Sequence, residues 1–194
     1  MLKKIILAAV VAATASFAQI NFGVHAGLDM NTLWGDDADD ASSGIGFQAG
    51  AAVKISLPML PITVAPEVLI DMRNFEFENG VDSYSLTEWA LDIPVLVRFS
   101  VLPILYVEGG PMFAFNLNMS DEDIDDIDKY LPTNSFEFDV VLGVGTGILP
   151  LVDIDFRVVL GLTNVFDDIT VPLVGTQSFD ASNMQFVLGA TYWF

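Results

Sequence analysis

Cysteine is absent from the 194-residue sequence, so neither a disulfide nor a thiolate metal site can hold this fold. Positive charge is scarce. Seven Lys and Arg stand against twenty-six Asp and Glu, a formal charge of −19. Such a chain offers no basic patch to a phosphate backbone, which excludes nucleic acid as a partner. Histidine occurs once, at His25. No stretch keeps a helical period long enough to matter, and no internal repeat occurs beyond a hairpin rhythm. What is abundant is apolar residue, 53% of the chain. That content beside so much negative charge is unusual for a soluble domain. It is accounted for if the apolar side chains face lipid while the acids occupy loops and a lumen.

Met1 to Ala18 has the form of a secretory signal peptide. Lys3 and Lys4 make its charged start, Ile5 to Ala15 its apolar run, and Ser16-Phe17-Ala18 a small-x-small cleavage site before Gln19. The run is too short for a transmembrane helix. With no cysteine behind it, a lipoprotein anchor is not expected. Residues 19–194 then form one domain, in which five bases (Lys54, Arg73, Arg98, Lys129 and Arg157) face twenty-six acids, a formal charge of −21.

From Gln19 onward the chain alternates apolar and polar residues, the period of a strand with unlike faces. Eight segments carry it: Ile20 to Met30, Ile45 to Leu57, Ile62 to Arg73, Tyr84 to Val101, Leu105 to Met119, Phe136 to Ile148, Val152 to Leu162 and Ala181 to Phe194. In the first, Ile20, Phe22, Val24, Ala26, Leu28 and Met30 oppose Asn21, Gly23, His25, Gly27 and Asp29. In the last, Met184, Phe186, Leu188, Ala190, Tyr192 and Phe194 oppose a smaller or more polar set. Beyond Arg73 the phase slips, because Phe75 and Phe77 fall on the other parity; a bulge or the aqueous end of a hairpin is expected there.

Roughly a dozen residues at ~3.3 Å each and ~45° tilt span the hydrocarbon core, and these segments have that length. Connections alternate in length. Those after the second, fourth and sixth segments are tight and marked by Pro58 and Pro61, Pro103, and Pro150; the others are long and acidic. Short turns at one end and long loops at the other are the outer-membrane pattern, with the short side periplasmic. The expected fold is therefore all-β: an eight-stranded antiparallel up-and-down transmembrane β-barrel. Its periplasmic turns are short and its extracellular loops long and acidic. The terminal strand should close the barrel on the first, in lipid.

That terminal strand resembles the C-terminal signal by which bacterial outer-membrane barrels are recognised for insertion, through Gly189, Tyr192 and Phe194. It departs at Val187, where the signal usually has a polar residue. The run Leu91 to Leu117 resembles the central hairpin of the PorT-like outer-membrane β-barrel family, of OmpA-type eight-stranded architecture. Asp92-Ile93-Pro94 and Gly110-Pro111 carry that match. Val141 to Ile148, Asp153 to Arg157, and Gly161 to Asn164 extend it. The resemblance implies fold, outer-membrane location and insertion by the barrel machinery, and no common catalytic chemistry.

Three candidate sites follow. His25 lies on the inner face, and Asp29 on that face is about 13 Å further along an extended strand, too far for a dyad. A structural hydrogen bond is expected for it rather than a role as a base. The loop Asp121 to Lys129 is the densest acidic run, but Asp126 and Pro132 stand where an EF-hand needs its Gly and its bidentate Glu. A looser Ca²⁺ or Mg²⁺ site would use Asp121, Asp123, Asp125 and Asp126, shared with Asp36, Asp37, Asp39 and Asp40; the plain alternative is a solvated, self-repelling loop. The inward charges Lys54, Glu67, Arg73, Arg98, Glu108, Asp153, Asp155 and Arg157 form the third. Eight strands leave an interior just filled by side chains, so an ionic core is expected, not a wide channel.

Within that core, a turn centred near Pro103 sets Arg98 opposite Glu108, and Lys54 with Glu67 should form a looser pair. Gly143, Gly145 and Gly147 should make room for Arg157 and its neighbours. The expected function is a non-enzymatic membrane barrel with a structural, binding or assembly-accessory role, monomeric, without a cofactor. The alternatives are a lipid-modifying barrel enzyme, for which no nucleophile–base pair is evident, and a secreted lipocalin-like carrier.

Overall fold

The computed structural model describes residues 19–34, 41–57, 60–78, 83–121, 136–149, 151–164, 169–171, 175–177 and 182–194. The expected signal peptide lies outside them, as do Asp36, Asp37, Asp39, Asp40, Asp123, Asp125 and Asp126.

Eight long strands form the wall: β1 (Gln19–Trp34), β2 (Ala41–Ser56), β3 (Ile62–Glu78), β4 (Ser83–Leu102), β5 (Leu105–Asp121), β6 (Phe136–Leu149), β7 (Val152–Asn164) and β10 (Ser182–Trp193). Between the last two, β8 (Ile169–Val171) and β9 (Gly175–Gln177) make a separate two-stranded sheet that the sequence pattern did not announce. Neighbours pair antiparallel around a closed barrel in the order β1-β10-β7-β6-β5-β4-β3-β2.

Closure is made by β1 on β10, in unbroken register from Gly23↔Trp193 to Trp34↔Ser182. The Phe194 amide adds a hydrogen bond to the Phe22 carbonyl at 2.8 Å. Every wall strand therefore has two partners, and the backbone needs no water along the hydrocarbon. At the short-turn end the hairpins are tied to one another: Ser100 N donates to Pro61 O (2.9 Å), Gly147 N to Ile104 O (3.0 Å) and Trp193 N to Leu151 O (2.8 Å).

Alternation decides which face each side chain takes. Phe22, Leu28, Ile45, Leu142 and Leu188 are all more than half exposed, on the outside. Their neighbours His25, Asp29, Gln48, Arg157 and Gln185 are buried. Apolar outside and charged inside is the opposite of a soluble carrier, and it fits a wall immersed in lipid. Aromatic rings thicken that outer belt: Phe115 and Phe136 lie 5.4 Å apart between centroids, and Tyr192 and Phe194 also 5.4 Å.

The irregularity foreseen beyond Arg73 sits in the neighbouring strand. β3 pairs without interruption from Leu69 to Glu78 against β4, whereas β2 carries one extra residue between Ser43 and Phe47. A bulge there lets the two strands accommodate the slip at the long-loop end.

Candidate functional site

The lumen is filled in three layers. Toward the short turns lies a cluster built on Arg98 and Arg157. Arg98 Nε donates to Glu108 Oε2 at 2.8 Å, its Nη1 to Asp153 Oδ2 at 3.2 Å and its Nη2 to Glu67 Oε1 at 3.3 Å. Arg157 grips Glu67 with both terminal nitrogens, at 2.8 and 3.0 Å. Its Nε donates to Glu108 Oε1 at 2.8 Å and lies 2.8 Å from Asp155 Oδ1. Two guanidinium forks thus bridge two glutamates in a ring, with planar geometry that lysines could not copy.

Register positions the first of these pairs. Arg98 and Glu108 are direct partners across the β4–β5 hairpin, so their chains meet without spanning the barrel. Lys54 does not pair with Glu67. The β2–β3 register sets Glu67 opposite Ala52, one pleat away from Lys54, and Glu67 is taken by the two arginines. Lys54 instead reaches across the mouth to Asp153 Oδ2 at 3.1 Å. That same oxygen accepts from Trp193 Nε1 at 2.8 Å. The Lys54 ammonium stands 5.0 Å from the Trp193 ring centre, and the Arg98 guanidinium 4.9 Å from that of Tyr106.

Glycines on β6 leave the space these side chains use. A Cβ on Gly143 would lie 3.1 Å from Arg157 Cγ and 3.1 Å from Glu108 Cγ, and one on Gly145 would fall on the Tyr106 ring. Gly189 does the same for His25, whose Cε1 would be 2.6 Å from an added Cβ. His25 Nδ1 is 2.9 Å from Thr191 Oγ1. So Gly189 packs the lumen, while Tyr192 and Phe194 of the same motif lie outside, exposed.

Toward the long loops lies a second cluster, with one cation among the described residues. Arg73 is fully buried and donates to Asp71 (2.9 Å), to both oxygens of Asp92 (2.9 and 3.0 Å) and to Glu137 (3.2 Å), with Glu88 at 3.8 Å. Gln185 Nε2 adds a donor to Asp71 at 2.7 Å, and Asn116 Nδ2 one to Glu137 at 2.7 Å. Asn31 donates to Asp29 nearby. Among the described residues no three His, Asp or Glu converge as a metal site. Inward parity alone does not mark Arg73 as a hub, because its partners come from β3, β4 and β6.

An apolar layer that sequence reasoning missed separates the clusters on β4, β5, β6 and β10. Ala65, Leu96, Met112, Val141, Val159 and Val187 pack together, all buried, one from each of six strands. On β4, Leu96 lies between Asp92 and Arg98; on β6, Val141 lies between Asp139 and Gly143. The signal was present in the inward parity of these residues. Val187, the departure from the insertion motif, is one of them.

The scan of protein families matches residues 15–167 to the outer membrane protein beta-barrel domain. The chain belongs to that family. Outer-membrane location and a lipid environment follow from membership. Among solved structures, Neisserial surface protein A (NspA) aligns with TM-score 0.55 and 13% identity, covering 89% of this chain and 97% of that one. Ail of Yersinia pestis, in complex with the heparin analogue sucrose octasulfate, aligns at 0.54 and 14%, covering 91% and 99%. OprG of Pseudomonas aeruginosa aligns at 0.50 and 12%, covering 91% and 97%. At such identities these likenesses show the shared barrel alone. No curated protein matches the sequence.

Proposed function

We propose that this family member is a non-enzymatic, monomeric barrel of the PorT-like type, a sealed outer-membrane scaffold whose loops bind a partner at the cell surface. The observation that carries the reading is the filled lumen, charged layer on apolar layer on charged layer, which leaves the wall and the loops as working surfaces. A lipid-modifying enzyme finds less support. His25 is buried inside the wall with Nδ1 on Thr191, away from any lipid substrate.

The segments between the wall strands are rich in acid, with Asp36, Asp37, Asp39 and Asp40 in one and the run from Asp121 to Asp128 in another. A polyanion of the kind Ail holds suits such loops poorly; cationic partners and divalent ions suit them well. Asp121, Asp123, Asp125 and Asp126 are the candidate ligands for Ca²⁺. Gly189, Tyr192 and Phe194 serve the insertion machinery, after removal of residues 1–18 and with 19–194 as the barrel.

Planar-bilayer recording tests the sealed scaffold. The purified barrel should insert without discrete conductance steps, and its loops should resist protease better in Ca²⁺ than in chelator. Regular open-channel steps from the unmodified protein would refute the sealed-lumen reading, and release of fatty acid from outer-membrane lipid would refute the non-enzymatic one.

A further inference from the structure

The short-turn end of the barrel is not filled flush. A cup of about 350 Å³ opens there, with Asn21, Lys54, Ser100, Tyr106 and the Asp153 carboxylate lining its polar part. The volume is at the small end of the range for ligand pockets, ~300–1,000 Å³. By the outer-membrane arrangement of short turns, this mouth faces the periplasm.

Its chemistry is lopsided. Of the four described cationic side chains, Arg73, Arg98 and Arg157 are buried and spent on carboxylates, whereas the Lys54 side chain is 28% exposed. An ammonium has three donors, and Lys54 uses one, on Asp153. Asp153 Oδ2 is shared among Lys54, Arg98 and Trp193, so its charge is already divided over three donors. The Tyr106 hydroxyl is buried against Gly145, without a hydrogen-bond partner among the described residues. Asn21 and Ser100 add further donors on the wall. The rim is apolar: Leu102, Ile104, Leu149 and Leu151 all stand exposed around it.

We propose that this cup binds an amphiphilic oxyanion, a carboxylate or phosphate carried on an apolar chain. The anion takes the spare donors of Lys54, with Asn21 and Ser100 beside it, near the Trp193 ring, and the chain lies on the leucine rim. Asp153 is the internal competitor for Lys54. The occupant can be a free periplasmic amphiphile or the headgroup of an inner-leaflet phospholipid, since the recognised group is the same. This site adds to the sealed scaffold and does not depend on what the loops bind.

The test uses the full barrel in phosphatidylcholine nanodiscs, which leave both mouths open, with Trp34→Phe and Trp89→Phe so that only Trp193 reports. Decanoate should change Trp193 fluorescence saturably. Lys54→Met should weaken binding at least tenfold, Lys54→Arg should keep it, and Asp153→Asn should tighten it a few-fold by removing the competitor. The unfolding midpoint of each variant, measured alongside, separates loss of the site from loss of the fold. If nanodiscs containing phosphatidylglycerol already give the bound signal and abolish the decanoate response, the occupant is a lipid headgroup; an unchanged response assigns a free amphiphile. Equal binding by wild type and Lys54→Met, no saturable response in wild type, or tighter binding of decylammonium than of decanoate would overturn the proposal.

Discussion

Arg98 and Glu108 face each other across the β4–β5 hairpin, Nε to Oε2 at 2.8 Å, and both are buried. Removing the arginine alone leaves Glu67, Glu108, Asp153 and Asp155 to only Arg157 and Lys54. Removing the glutamate as well leaves three carboxylates to the same two cations. Arg98→Ala should therefore cost about 3–5 kcal/mol, the usual penalty for stranding a buried charge. The double variant Arg98→Ala, Glu108→Ala should cost less. Urea unfolding in lipid vesicles measures both, and simple additivity of the two single losses would contradict a coupled pair.

Arg73 should be the more critical arginine. Among the described residues it is the one cation beside Asp71, Asp92 and Glu137, with Glu88 at 3.8 Å. Arg73→Met should lower the yield of the folded, heat-modifiable form more than Arg98→Ala does. Adding Asp92→Asn and Glu137→Gln should recover much of it, because the repulsion goes with the charges. A fold that tolerates Arg73→Met unaided would show that the cluster is held by something other than this guanidinium.

Gly145 offers a test of packing free of charge effects. Its position opposite Tyr106 leaves no room for a methyl group. Gly145→Ala should cost ~1–3 kcal/mol by overpacking. Tyr106→Leu in the same chain should relieve most of that loss, since the ring is the obstacle. Equal stability of Gly145→Ala and wild type would mean the ring moves aside freely.

The apolar layer should be what keeps the lumen dry. Leu96→Ser with Val141→Ser puts hydroxyls where no charged partner waits, so water can bridge the two clusters. In planar bilayers this variant should leak cations, since the long-loop cluster carries more acids than bases, whereas wild type stays silent. A variant as silent as wild type would assign the seal to the charged layers.

Much of this arrangement was legible because a strand has only two faces. Parity alone placed His25, Glu67, Arg98, Glu108 and Arg157 inside and Phe22, Leu28 and Leu188 outside. Register was legible where a hairpin is short. The Arg98–Glu108 pairing followed from a turn near Pro103, although the turn is in fact Pro103–Ile104 and an extra residue in β4 between Ser100 and Leu102 restores the register. Contacts across the lumen were not legible. Lys54 with Asp153 and Arg157 with Glu67 are separated by 99 and 90 positions. Which of them meet depends on strand tilt and stagger, which alternation does not encode. The apolar layer was missed because each strand contributes a single residue to it.

The seam between β1 and β10 bears on how the molecule comes into being. Its partners His25 and Thr191 stand 166 positions apart, so the wall cannot close until both strands have been exported. Until then each presents an unpaired edge with an apolar stripe beside it, the kind of surface that pairs with other chains. Transit through water therefore leaves those two edges open to each other and to neighbours until lipid is at hand.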